Sequence, residues 1–230
     1  LTTLHACSDL WATGASVVSA QAVITLPQVP NKIQKELLAQ SLLGINSALE
    51  PQGAKLIGGH TLEARSDSPQ PSTLGLQIAL SVNGLVPSAF APWTKGGLQL
   101  GDALIVSRSL GSGVLFAAAN AGKSCAQDLD AALEELQTSQ HLIVESLLRV
   151  QEQNNSSQIV HACTDITGFG LLGHLEEMLL ASNSQRIKSG KPPLKIRLDV
   201  KSIPSFKLSS FFIFIFLSKS LIIWLDISLS

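Results

Sequence analysis

The feature that most constrains this chain is a repeated change of hydrophobic period along it. From Asp9 to Pro87, β-branched apolar runs alternate with stretches whose apolar residues recur at helical spacing. Val17 to Leu26 is apolar and β-branched and stops at Pro27, which predicts a buried strand. Pro30-Asn31 then opens a helical stretch in which Ile33, Leu37, Leu38, Leu42, Ile45 and Leu49 follow helical spacing. Ala54 to Ile57 predicts a short strand running into Gly58-Gly59-His60-Thr61. Arg65 to Ser72 predicts an exposed loop, and Leu74 to Val86 a strand apolar on both faces. Such alternation implies an α+β fold, two units of mixed sheet with helices on one side.

A boundary is expected at Ser88 to Gly101, where Pro87, Pro92, Gly96 and Gly97 cluster. Beyond it the sequence predicts a strand over Asp102 to Ser107, a turn at Leu110-Gly111-Ser112-Gly113 and a helix over Val114 to Ala121. Leu129 to Gln151 reads as one amphipathic helix, and Gln153 to Gln158 as a polar linker. A short strand over Ile159 to Ala162, a helix over Leu171 to Ala181 and a strand over Ile196 to Ile203 complete the pattern. The expected domains are 1–88, 89–205 and a tail, 206–230. That tail turns abruptly to Phe, Ile, Leu and Ser, with Ser218-Lys219-Ser220 interrupting an apolar run too short for the roughly 20 residues of a spanning helix. It reads as non-native sequence, and as an aggregation hazard if expressed.

The composition excludes some classes. Of the 230 residues 45% are hydrophobic and 14% charged, with a formal net charge of -1, which is the profile of a soluble enzyme core and not of a nucleic-acid binder. Cys7, Cys125 and Cys163 form no CxxC pair, so a reducing compartment is expected instead of a disulfide scaffold. Leu1 to Ala6 has neither the basic nor the apolar region of a signal peptide, and a start at Leu1 suggests lost upstream sequence.

Two segments echo one another: His5-Ala6-Cys7-Ser8-Asp9 and His161-Ala162-Cys163-Thr164-Asp165. Each is expected to place an aspartate after a short apolar strand and before a glycine turn, where a carboxylate suits a hard cation such as Mg2+. Taken alone, each of Asp9 and Asp165 reads first as a helix cap. A third possibility pairs His5 with Cys7 and His161 with Cys163 as zinc ligands, although zinc sites favour tighter spacing, and buried small thiols fit better. Gly58-Gly59-His60-Thr61 could bring backbone amides and a hydroxyl to an anion, or be an ordinary turn. Gly111-Ser112-Gly113 lacks the lysine of a Walker loop and reads as close packing. His174, bracketed by Leu171 and Leu175, reads as a hydrogen-bonded core histidine, while Glu134-Glu135 and Glu176-Glu177 read as solvated surface.

The string His161-Ala-Cys-Thr-Asp-Ile-Thr-Gly-Phe-Gly-Leu-Leu-Gly-His174 resembles the signature of selenophosphate synthetases. Ser8-Asp9-Leu10-Trp11-Ala12-Thr13-Gly14, Gly58-Gly59-His60-Thr61, Gly101-Asp102-Ala103-Leu104-Ile105 and Leu110-Gly111-Ser112-Gly113 fall in the order of that family, so the match runs from Leu4 to about Ser205. The resemblance implies a two-domain fold like aminoimidazole ribonucleotide synthetase, a homodimer, and a cytoplasmic, magnesium-dependent conversion of selenide, ATP and water to selenophosphate, AMP and phosphate. It implies ATP contacts at Asp9, Gly58, Gly59 and His60, the glycine loop being lent by one subunit to the other, and Mg2+ ligands at Asp9 and Asp165. No catalytic residue is assigned, since the cysteine or selenocysteine and the lysine of the family are expected upstream of Leu1. The chain alone is therefore expected to be inactive. The alternatives are another ATP-dependent synthetase of the same superfold, or a dimerising remnant without catalysis. No nucleic acid is expected as a partner, and no membrane unless the tail is genuine.

Overall fold

The computed structural model of the chain describes residues 1–64, 75–154, 158–199 and 203–206, and the backbone of 226–229. The chain forms two compact units, Leu1–Pro92 with Ser139–Gln158, and Trp93–Thr138 with Ile159–Ser230. Ser139–Gln158 groups with the first unit.

The first unit opens with a helix, α1 (Thr2–Ala12), where a short strand ahead of Asp9 was expected. Its buried residues, Thr3, Leu4, Cys7 and Trp11, recur every three to four positions, so one helical stripe is buried and His5 and Asp9 are left exposed. The Trp11 indole N–H donates to Gln52 Oε1 at 3.2 Å, satisfying the one polar atom of an otherwise buried ring. Next comes β1 (Ser16–Leu26), which pairs parallel with β2 (Lys55–Glu63) and antiparallel with β3 (Gln77–Leu85). The result is a mixed sheet of order β2-β1-β3. Val17, Ala20, Ala22, Ile24 and Leu26 point inward from β1, with a period of two from Ala20 to Leu26 and a three-residue step after Val17, where the pairing with β3 slips. β3 alternates in the same way, with Gln77, Ala79, Ser81, Asn83 and Leu85 outward, so it is not apolar on both faces.

α2 (Asn31–Leu49) connects β1 to β2 and buries Ile45 and Leu49, while Ile33 stays 49% exposed. Helical spacing therefore located the helix, but its only fully buried residues lie in its C-terminal half. A 3-10 turn, Glu50–Gln52, follows and ends at Gly53, whose φ of 70° suits glycine.

α3 (Ser112–Asn120), α4 (Ala126–Gln137) and α5 (His141–Gln153) come next. The single helix expected over Leu129 to Gln151 is therefore two. Thr138 turns extended, at φ -75° and ψ 123°, and the Ser139 hydroxyl engages His141 Nδ1 at 2.8 Å, a local polar bond that competes with helix continuation. Asp102 to Ser107 and Ile159 to Ala162, expected as strands, join no ladder among the described residues.

The second unit is organised by α6 (Gly170–Lys188). Leu175 and Met178 pack with Leu98, Leu194 and Leu198 into its core. β4 (Leu194–Arg197) lies antiparallel to β5 (Asp226–Leu229). The Asn183 side chain mimics a further strand, accepting from the Leu194 amide at 2.6 Å and donating to its carbonyl at 3.0 Å. Leu110 exchanges backbone bonds with Pro204 and Phe206 at 2.9 and 3.1 Å. The loop expected at Arg65 to Ser72 and most of the tail expected as non-native lie outside the described residues. No helix among the described residues is long and apolar enough to cross a membrane.

Leu49 is fully buried, so Leu49→Ala should cost about 2–5 kcal/mol in a urea titration, through lost transfer energy and the cavity left behind. Leu43, 69% exposed on the same helix, should change stability by no more than about 0.5 kcal/mol when cut to alanine.

Candidate functional site

The segment carrying Asp165 is held at several points. The Cys163 amide donates to the Thr94 carbonyl at 2.9 Å. Gly97 runs so close to the His161 carbonyl that a Cβ there would sit 2.3 Å from its oxygen, and its φ of +128° also requires glycine. His161 Nδ1 meets Asp102 Oδ1 at 2.7 Å, and Asp102 Oδ2 accepts from the Gln99 amide at 2.8 Å. One carboxylate thus closes its own turn and fixes the imidazole four residues before Asp165. Beyond Asp165, the Thr167 amide donates to His174 Nε2 at 3.1 Å, and the Gly170 amide donates to the Thr167 carbonyl at 2.9 Å. The loop therefore enters α6 with both flanks tied to side chains of its own unit.

Neither aspartate caps a helix. The residue at the N-cap of α6 is Phe169, which gives no side-chain bond, and Asp165 lies ahead of it. Asp9 lies in the body of α1, exposed, near its C-terminal end. The expectation that Asp9 ends a strand is overturned as well, because the burial stripe of Leu4, Cys7 and Trp11 makes that segment helical. Asp165 is half-buried in the second unit.

The zinc alternative finds no support. His5 and Cys7 are two residues apart on one helix, about 200° around its axis, with Cys7 buried and His5 exposed. Burial pushes the Cys7 thiol up despite a bond from Gln52, and burial with the nearby Asp165 carboxylate pushes the Cys163 thiol up. Both effects disfavour the thiolate that zinc needs. Among the described residues no group of three His, Cys, Asp or Glu side chains could hold a metal ion. Magnesium, by contrast, is often held by one or two carboxylates and completed by phosphate and water oxygens, and aspartates not used in capping fit that donor set.

Gly58-Gly59-His60-Thr61 is not a loop. All four residues belong to β2 and pair with β1 from Gln21 to Ile24. The register slips between Ala20 and Gln21, where Ile57 is the extra residue on β2. Immediately after this bulge, Gly59 takes a φ of +150°, and a Cβ there would lie 1.9 Å from the Ala22 carbonyl oxygen. Gly59 is thus set by strand-to-strand contact, whereas a Cβ on Gly58 would meet nothing within 4 Å. Gly59 and His60 nevertheless line two open grooves, one on each face of the sheet. The first, of about 420 Å³, also touches Leu38, Leu42 and Leu56, and the second, of about 510 Å³, touches Gln21, Val23 and Ser81. Asp9 lines neither groove. At Gly111 the reason for glycine is a φ of 106° at the start of α3, while a Cβ on Gly113 would meet nothing, so close packing is not its role.

Other groups had gone unread in the sequence. The buried Ser182 hydroxyl accepts the Gly97 and Leu98 amides at 3.0 and 3.1 Å and donates to the Met178 carbonyl, tying α6 to the chain beside His161. Glu177, expected only as solvated surface, meets Lys95 Nζ at 2.6 Å, and that ammonium holds its carboxyl below the usual carboxylate range. Glu135, also expected as surface, accepts the Ser109 amide at 2.6 Å. Apart from Met178, these partners lie 26 to 85 residues apart in sequence, which gives no local signal.

Comparison with known proteins adds the following. The family models described as "AIR synthase related protein, N-terminal domain" and "C-terminal domain" match residues 2–86 and 99–219. A selenide, water dikinase of Nitratidesulfovibrio vulgaris (strain DP4) is 32% identical over 201 residues, covering 87% of this chain and 49% of its own length. One from Pelobacter propionicus is 34% identical over 179 residues, covering 77% of this chain and 45% of its own length. The chain thus spans about half the length of these curated relatives. Among solved structures, the hydrogenase maturation protein HypE in complex with ATP superposes at a TM-score of 0.65 with 17% identity, over 98% of this chain and 60% of that one. At that identity the likeness shows a shared fold: the two-domain, AIR synthase-like architecture with a mixed sheet.

The thiol environments can be checked by timed alkylation and peptide mapping. Cys125, exposed, should label first near neutral pH. Cys7 and Cys163, whose thiolates burial disfavours, should lag and gain rate only as pH rises above the ordinary thiol range. Labelling of Cys163 as fast as Cys125 would contradict this.

Proposed function

Because the chain belongs to the AIR synthase related family through both its N-terminal and C-terminal domains, we propose that it binds ATP with Mg2+ in the synthesis of selenophosphate from selenide and water, a reaction that releases AMP and phosphate. The observation carrying this reading is the ordered loop from His161 to His174, with a non-capping Asp165 inside it, in a chain 32% identical to a selenide, water dikinase.

Asp165 and Asp9 are the proposed magnesium ligands, and Asp9, Gly58, Gly59 and His60 the proposed ATP contacts. Bound Mg2+ would supply charge neutralisation for the phosphates, where phosphoryl transfer gains most from positioning and electrostatics. The task of this chain's own residues is then to hold carboxylate oxygens in place and keep the loop before α6 from collapsing.

A second copy of the chain is the proposed cover for the outward face of the first unit's sheet. Val18, Val23 and Leu85 are 44, 43 and 67% exposed there, and β2 is exposed along nearly its whole length. Exposed apolar side chains on a sheet face favour burial against another surface.

Asp165→Asn should weaken binding of ATP in the presence of Mg2+ by about a hundredfold, the upper end of what loss of even an outer-shell metal partner costs. The circular dichroism spectrum and melting temperature should stay unchanged. Equal affinity in the variant would remove Asp165 from the site. In a form extended to the length of its relatives, AMP release should require selenide, and AMP formed equally fast without selenide would point to another ATP-dependent synthetase. Val23→Glu should shift the protein from dimer to monomer in size-exclusion chromatography with light scattering; a monomeric parent would overturn the dimer.

A further inference from the structure

His174 is the most enclosed titratable side chain beside the Asp165 loop, at 5% exposure, on the second turn of α6. Its Nε2 accepts the Thr167 amide at 3.1 Å, with Thr167 Oγ1 at the same distance. An acceptor nitrogen carries no proton, so the neutral ring holds its proton on Nδ1. That Nδ1 is buried and has no hydrogen-bond partner among the described residues. The nearest carboxylate oxygen, Glu177 Oε2, stands 3.6 Å away and is engaged by Lys95 Nζ at 2.6 Å. Phe169 sets its ring edge-on to the imidazole, with centroids 6.1 Å apart.

These contacts form one line: Lys95, Glu177, His174, Thr167. A buried ring that gives its only lone pair to a loop amide, backed by a carboxylate within a short shift of hydrogen-bond distance, resembles the outer-shell supports that orient ligands at metal sites. Packing alone would be met by a leucine, and leucine leaves the Thr167 amide without an acceptor.

We propose that His174 is a positioning residue for the Asp165 loop: by receiving the Thr167 amide it fixes the loop conformation in which Asp165 presents its carboxylate to a metal-bound nucleotide. Glu177 orients the ring from behind and Lys95 tunes Glu177. This rests on the nucleotide site proposed above, and the experiment separates the two.

His174→Leu fills the volume without an acceptor, and His174→Gln restores an oxygen near the position of Nε2. Hydrogen exchange at the Thr167 amide, followed by NMR on the whole chain, gives a readout independent of nucleotide. Exchange should speed up at least about tenfold in His174→Leu, the cost of leaving a buried amide unpaired, and stay near the parent rate in His174→Gln. Affinity for ATP with Mg2+, by calorimetry, should fall about tenfold in the leucine variant and recover in the glutamine variant. Should the leucine variant not fold, the glutamine variant decides alone: slow Thr167 exchange with parental affinity supports the role, and fast exchange with parental affinity overturns it. Affinity lost in Asp165→Asn but kept in His174→Leu also overturns it while leaving the nucleotide site standing. Affinity kept in Asp165→Asn sinks the nucleotide site, and Thr167 exchange then still reports whether His174 holds the loop.

Discussion

The first unit depends on one strand bonded on both sides. β1 carries parallel pairing to β2 on one edge and antiparallel pairing to β3 on the other. Its inward residues, Val17, Ala20, Ala22, Ile24 and Leu26, are all at most 7% exposed. Each larger side chain among them contributes about 1.5–3 kcal/mol by leaving water. Because β1 is central, its register also sets where β2 must come closest, and Gly59 sits where Ala22 leaves no room for a Cβ. The segment proposed to touch ATP is thus held by backbone packing first, and its lining of both grooves follows from that.

The second unit has a different anchor. Apolar residues of α6 set its depth in the core, while three side chains fix its angle to the chain around it. Ser182 binds two amides on one side, Asn183 binds a strand edge on another, and His174 binds the loop that leads into the helix. All three are buried or partly buried polar groups, and each would be costly if left unpaired. Of the three, His174 is the one that holds the loop between Cys163 and Gly170 directly, through the Thr167 amide.

Elements with a long, strong period were legible. Val17 to Leu26 and Ile33 to Leu49 match β1 and α2 closely, and Val114 to Ala121 and Leu171 to Ala181 lie almost wholly within α3 and α6. Short segments were less legible, although the strand expected over Ala54 to Ile57 does open β2. The residues before Asp9 form a helix because a buried stripe, not local propensity, decides them. The helix expected over Leu129 to Gln151 breaks at Thr138 and Ser139, where no proline or glycine announces it. The glycines were read as a possible anion cradle, since the sequence shows a conformational freedom but not the strand that makes use of it.

By itself the sequence determined the α+β class, the alternation of elements and the chemical types at the candidate site, because period and side-chain chemistry are local properties of the chain. Only the tertiary structure decided that neither Asp9 nor Asp165 caps a helix, that Asp102 clasps His161 and that His174 supports Thr167. Those outcomes depend on which distant atoms compete for the same hydrogen bonds and the same buried space. No local pattern records that competition.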